Sequence, residues 1–182
     1  VEPVLSISGF WRTTANVAPD GSIYLGFVTP YNSPARQTMV RKLSALTGLQ
    51  TWEQLISRQK SRALRLLGFS FDSDSRVFLK SRVQNSQFAE TISINPGNGN
   101  VIWRNTDYQS SPNGDSGYNV LFLNNGRLIT MTPSWNGNNN YSTRFVTIDK
   151  LTGVTIRTGK LRTNAFQPAI VSLNTDYFAT FH

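Results

Sequence analysis

The sequence predicts an all-β fold assembled from a unit that recurs along the chain. Two sets of regularly spaced turns, and the β-rich runs that flank them, carry that expectation. In the first set, a two-residue turn precedes a short apolar run: Asp20-Gly21 before SIYLGF, Asp74-Ser75 before RVFL, Asn125-Gly126 before RLITM and Thr175-Asp176 before YFATF. The second turn position falls at 21, 75, 126 and 176, in steps of 54, 51 and 50. The second set lies between the first in KLSALTGLQTW (42–52), SINPGNGNVIW (93–103) and TIDKLTGVTIR (147–157), whose glycines at 48, 99 and 153 are 51 and 54 apart. With 38% hydrophobic and 12% aromatic residues, the 182-residue chain has the means to bury a core and is not of the disordered class.

Each element follows from local chemistry. GFWRTTANV before Asp20-Gly21 and SIYLGF after it predict the first hairpin, because both turn residues tolerate positive φ. The segment at 42–52 then adds two strands joined at Gly48. LRLLGFSF and RVFL make the next hairpin, and 93–103 its second pair of strands, joined at Gly99. YNVLFL and RLITM, followed by the turn at Gly153, repeat the pattern a third time. AIVSL and YFATF give a fourth hairpin only, and VEPVLSIS (1–8) is expected to supply a further strand that closes that last unit. The units are 9–58, 63–108, 116–162 and 165–182. Four antiparallel strands per unit, repeated, is the pattern of β-propeller blades, either as a closed ring of about four or as part of a larger propeller. One stretch competes with this. From 36 to 67, Met39, Leu43, Leu46, Leu55, Ala63 and Leu66 fall near helical spacing. The turn at Gly48 favours strands, with a helical turn expected around 54–63.

The segments around Gly48, Gly99 and Gly153 resemble the blade-closing motif of the pyrroloquinoline-quinone-like β-propeller repeats, roughly Ala-Leu-Asp-x-x-Thr-Gly-x-x-x-Trp. Leu43, Thr47, Gly48 and Trp52 match in the first unit, Ile94, Asn95, Gly99 and Trp103 in the second, and Ile148, Asp149, Thr152 and Gly153 in the third. Ser44 stands in place of the Asp, and Arg157 in place of the third Trp. The resemblance implies that Trp52 and Trp103 dock one blade against the next. It does not extend to the cofactor site, since the vicinal cysteine pair of many such enzymes has no counterpart in a chain with no Cys.

Composition excludes several chemistries. Zero Cys removes disulfides, thiolate metal sites and a cysteine nucleophile, and the single histidine, His182, removes multi-histidine metal sites. No cofactor and no metal site are expected. Asp72 and Asp74 in FDSDS lack the rest of a calcium loop and read as turn formers. NPGNGN (95–100) has no Lys-Ser/Thr for a phosphate cradle. Ser44–Trp52 comes near the Asp box of sialidase propellers, but Leu46 replaces its Asp.

Two constellations point to binding. SWNGNNNYS (134–142) sets Trp135 and Tyr141 around Asn138 and Asn140. Aromatic faces with carboxamides suit a sugar, and the same residues also suit a plain turn. Arg36, Arg41, Lys42, Arg58, Lys60, Arg62 and Arg65 concentrate cations opposed within that stretch by Glu53 alone, in a chain of net charge +8. Arg58, Lys60 and Arg62 are the expected contacts to an anionic polymer. Nucleic acid is not an expected partner, since no binding motif accompanies the charge. The first expectation is thus a non-catalytic extracellular binding module for a glycan, acidic polymer or protein surface. The second is an assembly subunit whose incomplete blade is completed by a neighbouring copy, as a homo-oligomer. The third is a degenerate sialidase- or dehydrogenase-type propeller.

Overall fold

In the computed structural model, the described residues are 11–29, 37–58, 64–83, 88–108, 121–123, 126–135, 141–163, 169–172 and 178–181. They form fourteen strands and no helix. The first sheet holds β1 (Trp11–Val17), β2 (Ile23–Val28), β3 (Gln37–Leu43) and β4 (Gln50–Arg58), in chain order and antiparallel throughout. The second holds β5 (Leu64–Phe71), β6 (Val77–Val83), β7 (Phe88–Ile94) and β8 (Val101–Tyr108) in the same order. The third holds β9 (Leu121–Leu123), β10 (Arg127–Trp135), β11 (Tyr141–Asp149) and β12 (Thr155–Thr163). β13 (Ala169–Ser172) and β14 (Phe178–Phe181) pair as a two-stranded sheet. No helix of the described residues is long and apolar enough to cross a membrane.

The sheets pack face on face. Tyr24, Val40 and Ile56 of the first meet Phe69, Val77, Leu79, Ile92 and Ile94 of the second in one buried cluster. On the opposite face of the second sheet, Phe78 and Trp103 meet Leu128, Val146 and Ile148 of the third. A strand covered on both faces cannot alternate apolar with polar, which explains the unbroken runs at β2 and β6. Val77, Phe78, Leu79, Lys80 and Ser81 are all buried, and the Lys80 ammonium donates to Thr91 Oγ1 at 3.3 Å.

The helical turn expected at 54–63 is not formed where the structure describes it. Residues 54–58 belong to β4, and 59–63 lie outside the described residues. The apparent helical period was produced by two strands and a turn read as one element. Leu43 is 2% exposed while Leu46, further along in the turn, is 93% exposed. Met39 and Leu55 face each other across the β3–β4 ladder.

The three sheets share a local device. In each, the last hairpin turns through a glycine at positive φ: Gly48 (67°), Gly99 (79°) and Gly153 (75°). The residue four positions before the glycine closes the turn with its side chain. Asn95 Oδ1 accepts from Gly97 N at 2.8 Å, and Asp149 Oδ1 from Leu151 N and Thr152 N at 2.9 and 2.8 Å. Ser44 Oγ accepts from Leu46 N and Thr47 N at 3.2 and 3.3 Å. Serine therefore does the work of the missing aspartate, since any short side-chain acceptor can complete this turn. The N–H groups around Asp149, Thr152 first, hold its carboxyl below the usual carboxylate range.

Each glycine turn of the second and third sheets receives an indole from the sheet before it. The Trp52 ring lies on Gly99, where an added Cβ would come 2.7 Å from Cε3, and Trp52 Nε1 donates to Pro96 O at 3.0 Å. Trp103 lies on Gly153 in the same way, 2.6 Å from an added Cβ, and Nε1 donates to Lys150 O at 3.2 Å. Tyr24 packs edge-on to Trp52 and Phe78 tilts against Trp103, both at 5.8 Å. Burying one such indole contributes on the order of 2–3 kcal/mol. A lysine ties each joint, from opposite sides. In the first joint Lys42, on the indole's sheet, donates to Pro96 O at 3.2 Å. In the second, Lys150 in the turn itself donates to the buried Asp72 carboxylate at 3.1 Å.

Candidate functional site

The antiparallel order sorts the chain into two rims. The hairpin turns at Gly21, Ser75 and Gly126 and the glycine turns at Gly48, Gly99 and Gly153 all lie at one end of their sheets. The Trp52 and Trp103 joints bring those ends of neighbouring sheets side by side. The remaining strand ends lie at the opposite rim, called here the link rim.

The turn rim is chemically occupied. Its glycines at 99 and 153 lie beneath indoles, and its carboxylates serve turns. Asp72 Oδ1 accepts from Asp74 N and Arg76 N at 3.0 and 2.8 Å, and its other oxygen takes Lys150. This pair reads as the turn former expected of FDSDS. Burial raises the Asp20 carboxyl, but N–H donation from Ser22 and the charge of Lys42 outweigh it and leave it below the usual range. NPGNGN closes a hairpin and seats Trp52. Among the described residues no three His, Cys, Asp or Glu come together as a metal site.

Tyr24, near the turn rim, is a functional-looking group that the sequence did not single out. It is fully buried, and its hydroxyl has no hydrogen-bond partner among the described residues. Burial, and secondarily the Asp20 carboxylate, push its ionisation well above the ordinary tyrosine value. Its ring packs with Trp52, Phe71 and Phe69, and Lys42 sits over its face at 5.5 Å. These contacts make it a core residue of the joint.

Three of the expected binding residues, Trp135, Tyr141 and Arg58, stand at strand ends on this second rim. Trp135 ends β10 and Tyr141 begins β11, and the two form the last pair of the β10–β11 ladder. The hairpin therefore sets their backbones directly opposite one another, one residue from each side of the 136–140 link. Arg58 ends β4 on the same rim, paired with Gln37. Asn138 and Asn140 of the aromatic loop, and Lys60 and Arg62 of the basic stretch, lie outside the described residues. The Trp135–Tyr141 pair is on the third sheet and Arg58 on the first, with the second sheet between them.

The basic stretch is not one patch. Arg41 donates to Glu53 at 2.7 Å and stacks over Phe27, while adjacent Lys42 points to the other face of β3 and into the joint with Pro96. Strand alternation separates neighbours in sequence onto opposite faces, so a dense run of cations is divided as it folds.

No family model matches the chain, and no curated protein matches it. Solved structures do. The chain is similar to BamB from Moraxella catarrhalis, at 16% identity and a TM-score of 0.50, over 80% of this chain and 36% of that one. It is also similar to the exo-beta-1,3-galactanase from Phanerochaete chrysosporium, solved with beta-1,3-galactotriose, at 12% identity and a TM-score of 0.47 over 82% and 35% of the two chains. The galactanase from Clostridium thermocellum gives 10% and 0.47 over 83% and 35%. The chain thus spans little more than a third of the BamB chain. Four-stranded antiparallel sheets packed face to face, together with the likeness to BamB, show an all-β fold of the β-propeller kind.

Proposed function

We propose that this chain is a non-catalytic binding module, with repeats of the pyrroloquinoline-quinone-like type arranged as about four blades, that engages its target through the link rim. One observation carries the reading. On the turn rim Trp52, Trp103, Lys42, Lys150 and Asp72 are committed to holding sheets together, whereas the Trp135–Tyr141 pair stands at the end of a ladder on the opposite rim. Strand ends already paired in a ladder are a sound mount for contact residues, because backbone held by that pairing needs less ordering when a ligand arrives. The target is a glycan, with Trp135 and Tyr141 as stacking faces and Asn138 and Asn140 as paired donors and acceptors. Arg58, Lys60 and Arg62 add attraction for acidic sugars or polymers. The module acts without cofactor or metal, in an extracellular setting.

Screening the purified chain on neutral and acidic glycans tests this. Trp135→Ala should weaken binding by about tenfold, the equivalent of roughly 1.4 kcal/mol. Arg58→Ala should reduce binding to acidic glycans only, and less so as salt rises. No glycan binding, or binding indifferent to Trp135→Ala, overturns the proposal. Turnover of a bound glycan would transfer the chain to the enzymes.

A further inference from the structure

Every large hydrophobic residue that is exposed among the described residues lies at the turn rim. Leu46 and Leu49 belong to the first glycine turn, and Leu151 and Val154 take the same two places in the third. Ile102 and Ile156 each come three residues after a turn glycine, and Val17 ends β1 beside the Asp20-Gly21 turn. All seven are between 48% and 93% exposed. Turn closure does not call for them. The middle turn has Gly97 and Asn100 at the places of Leu46 and Leu49, and it closes with the same backbone bonds. Gly99 N donates to Asn95 O and Asn95 N to Asn100 O at 2.8 Å, as Gly48 N does to Ser44 O and Ser44 N to Leu49 O at 2.9 Å. The rim is also close to neutral. Its carboxylates at Asp20, Asp72, Asp74 and Asp149 are matched by Lys42, Arg76, Arg127 and Lys150. Exposed Arg157 is a fifth cation against those four acids, and the Arg41–Glu53 and Arg104–Glu90 pairs just beyond cancel, so the rim carries +1 of the chain's +8.

We propose that the turn rim is the surface through which two copies of this chain associate, rim to rim about a two-fold axis, with Leu46 and Leu49 of one copy against Leu151 and Val154 of the other. The order of the turns makes the rim complementary to itself. The second sheet packs between the first and the third, so its polar turn stands between two apolar ones. A two-fold axis through the middle turn matches first with third in both directions, as an isologous interface requires. It also sets Asn98 and Asn100 against their counterparts, and a carboxamide, which both donates and accepts, pairs with its own kind. A bilayer would strip water from those exposed amides and return no hydrogen bond, and a rim of +1 offers little attraction to anionic lipid. The same near-neutrality lets two rims meet without the repulsion that the chain's remaining charge would bring. At roughly 100 Å² for each such side chain, the seven residues offer on the order of 700 Å² of apolar surface. A stable interface takes about 800 Å² from each partner. The association leaves both link rims facing outward and makes the module bivalent toward whatever binds there; that consequence rests on the glycan reading above, the association itself does not.

Light scattering of the intact chain across a wide concentration range should show a monomer passing into a dimer. Leu46→Asp and Leu151→Asp should each weaken the dimer at least tenfold, because each substitution enters a two-fold interface twice. Both residues are exposed, so the urea midpoints of the monomeric variants should match that of the parent. The pairing of turns has its own readout, since the chain has no Cys. Under mild oxidation a mixture of Leu46→Cys and Leu151→Cys chains should form a disulfide-linked dimer, and neither variant alone should. Like turns of the two copies lie about two sheet spacings apart, roughly 20 Å, far beyond the reach of a disulfide. A monomer at every concentration, a dimer indifferent to both aspartate substitutions, or cross-linking of either cysteine variant alone as readily as the mixture overturns the proposal. So does binding of the chain to phosphatidylcholine vesicles that Leu46→Asp abolishes, which assigns the rim to a membrane. Trp135→Ala should leave the dimer unchanged. Failure here with Trp135-dependent glycan binding intact would refute the association alone, and the converse would refute only the glycan reading.

Discussion

Replacing Trp103 tests the indole-on-glycine joint at the level of energy. Trp103 is 9% exposed, and truncating a buried aromatic to alanine costs about 3–5 kcal/mol, including the lost hydrogen bond to Lys150 O. The partner substitution is more informative. Gly153→Ala places a side chain in the left-handed region, at about 1–2 kcal/mol, and drives its Cβ to 2.6 Å from the Trp103 ring, adding roughly 1–3 kcal/mol of overpacking. Gly126 supplies the control, since its φ of 81° is nearly the same and an added Cβ meets nothing within 4 Å. Gly126→Ala should therefore cost only the backbone share, about 1–2 kcal/mol. In the Trp103→Ala background the clash is gone, so Gly153→Ala should fall to that same share. Urea unfolding of the four members of this cycle should give a coupling energy of about 1–3 kcal/mol, with unchanged m-values. Additivity within about 0.5 kcal/mol would refute the reasoning, because the indole would then not be what forbids a side chain at 153.

Three further predictions concern charge and burial at the same joints. Lys150→Met leaves the Asp72 carboxylate, 4% exposed, without its cation and should cost about 3 kcal/mol, whereas Asp20→Asn, at a carboxylate 42% exposed and 3.8 Å from Lys42, should cost about 0–1 kcal/mol; equal losses by urea unfolding would contradict the burial argument. Tyr24→Phe removes a buried hydroxyl that has no partner among the described residues, and should be neutral or stabilising by up to about 1 kcal/mol. Because burial raises the folded-state value of Tyr24, its protonated form contributes stability that is whole below pH 10.0 and declines as pH rises beyond it. Unfolding titrations from neutral to strongly alkaline pH should show that decline reduced in Tyr24→Phe, and an unchanged profile would refute the assignment to this hydroxyl.

The legibility of this chain followed the range of the interactions involved. Turn chemistry is local, so Asp20-Gly21, Gly48, Gly99 and Gly153 could be read as positive-φ hairpin positions directly, and the structure gives each glycine a φ between 67° and 79°. Strand pairing within a sheet followed, because each hairpin fixes its own register. The stretch at 36–67 misled because helical spacing is a statement about one face of one element. Here Leu43, Leu46 and Leu55 belong to a strand, a turn and the returning strand. The basic run misled for a related reason: proximity in sequence is not proximity on a surface when alternate residues of a strand face opposite ways, as Arg41 and Lys42 do.

By itself, then, the sequence determined the all-β class, the repeated hairpins and the glycines, since each depends on dihedral preferences of a few consecutive residues. It also flagged the odd positions, Ser44 and Arg157, by their departure from the other repeats. What those departures mean was decided only in three dimensions. Ser44 keeps its turn because a hydroxyl accepts the same N–H groups as a carboxylate. Arg157 takes the register position of Trp103 in its own sheet, opposite Thr147 as Trp103 is opposite Ser93, yet it is exposed where Trp103 is buried. The exchange of the bridging lysine from Lys42 in one joint to Lys150 in the next is likewise invisible along the chain. Pairing between sheets joins residues far apart in sequence, as Lys42 with Pro96 and Asp72 with Lys150, and only the packed fold brings them within reach.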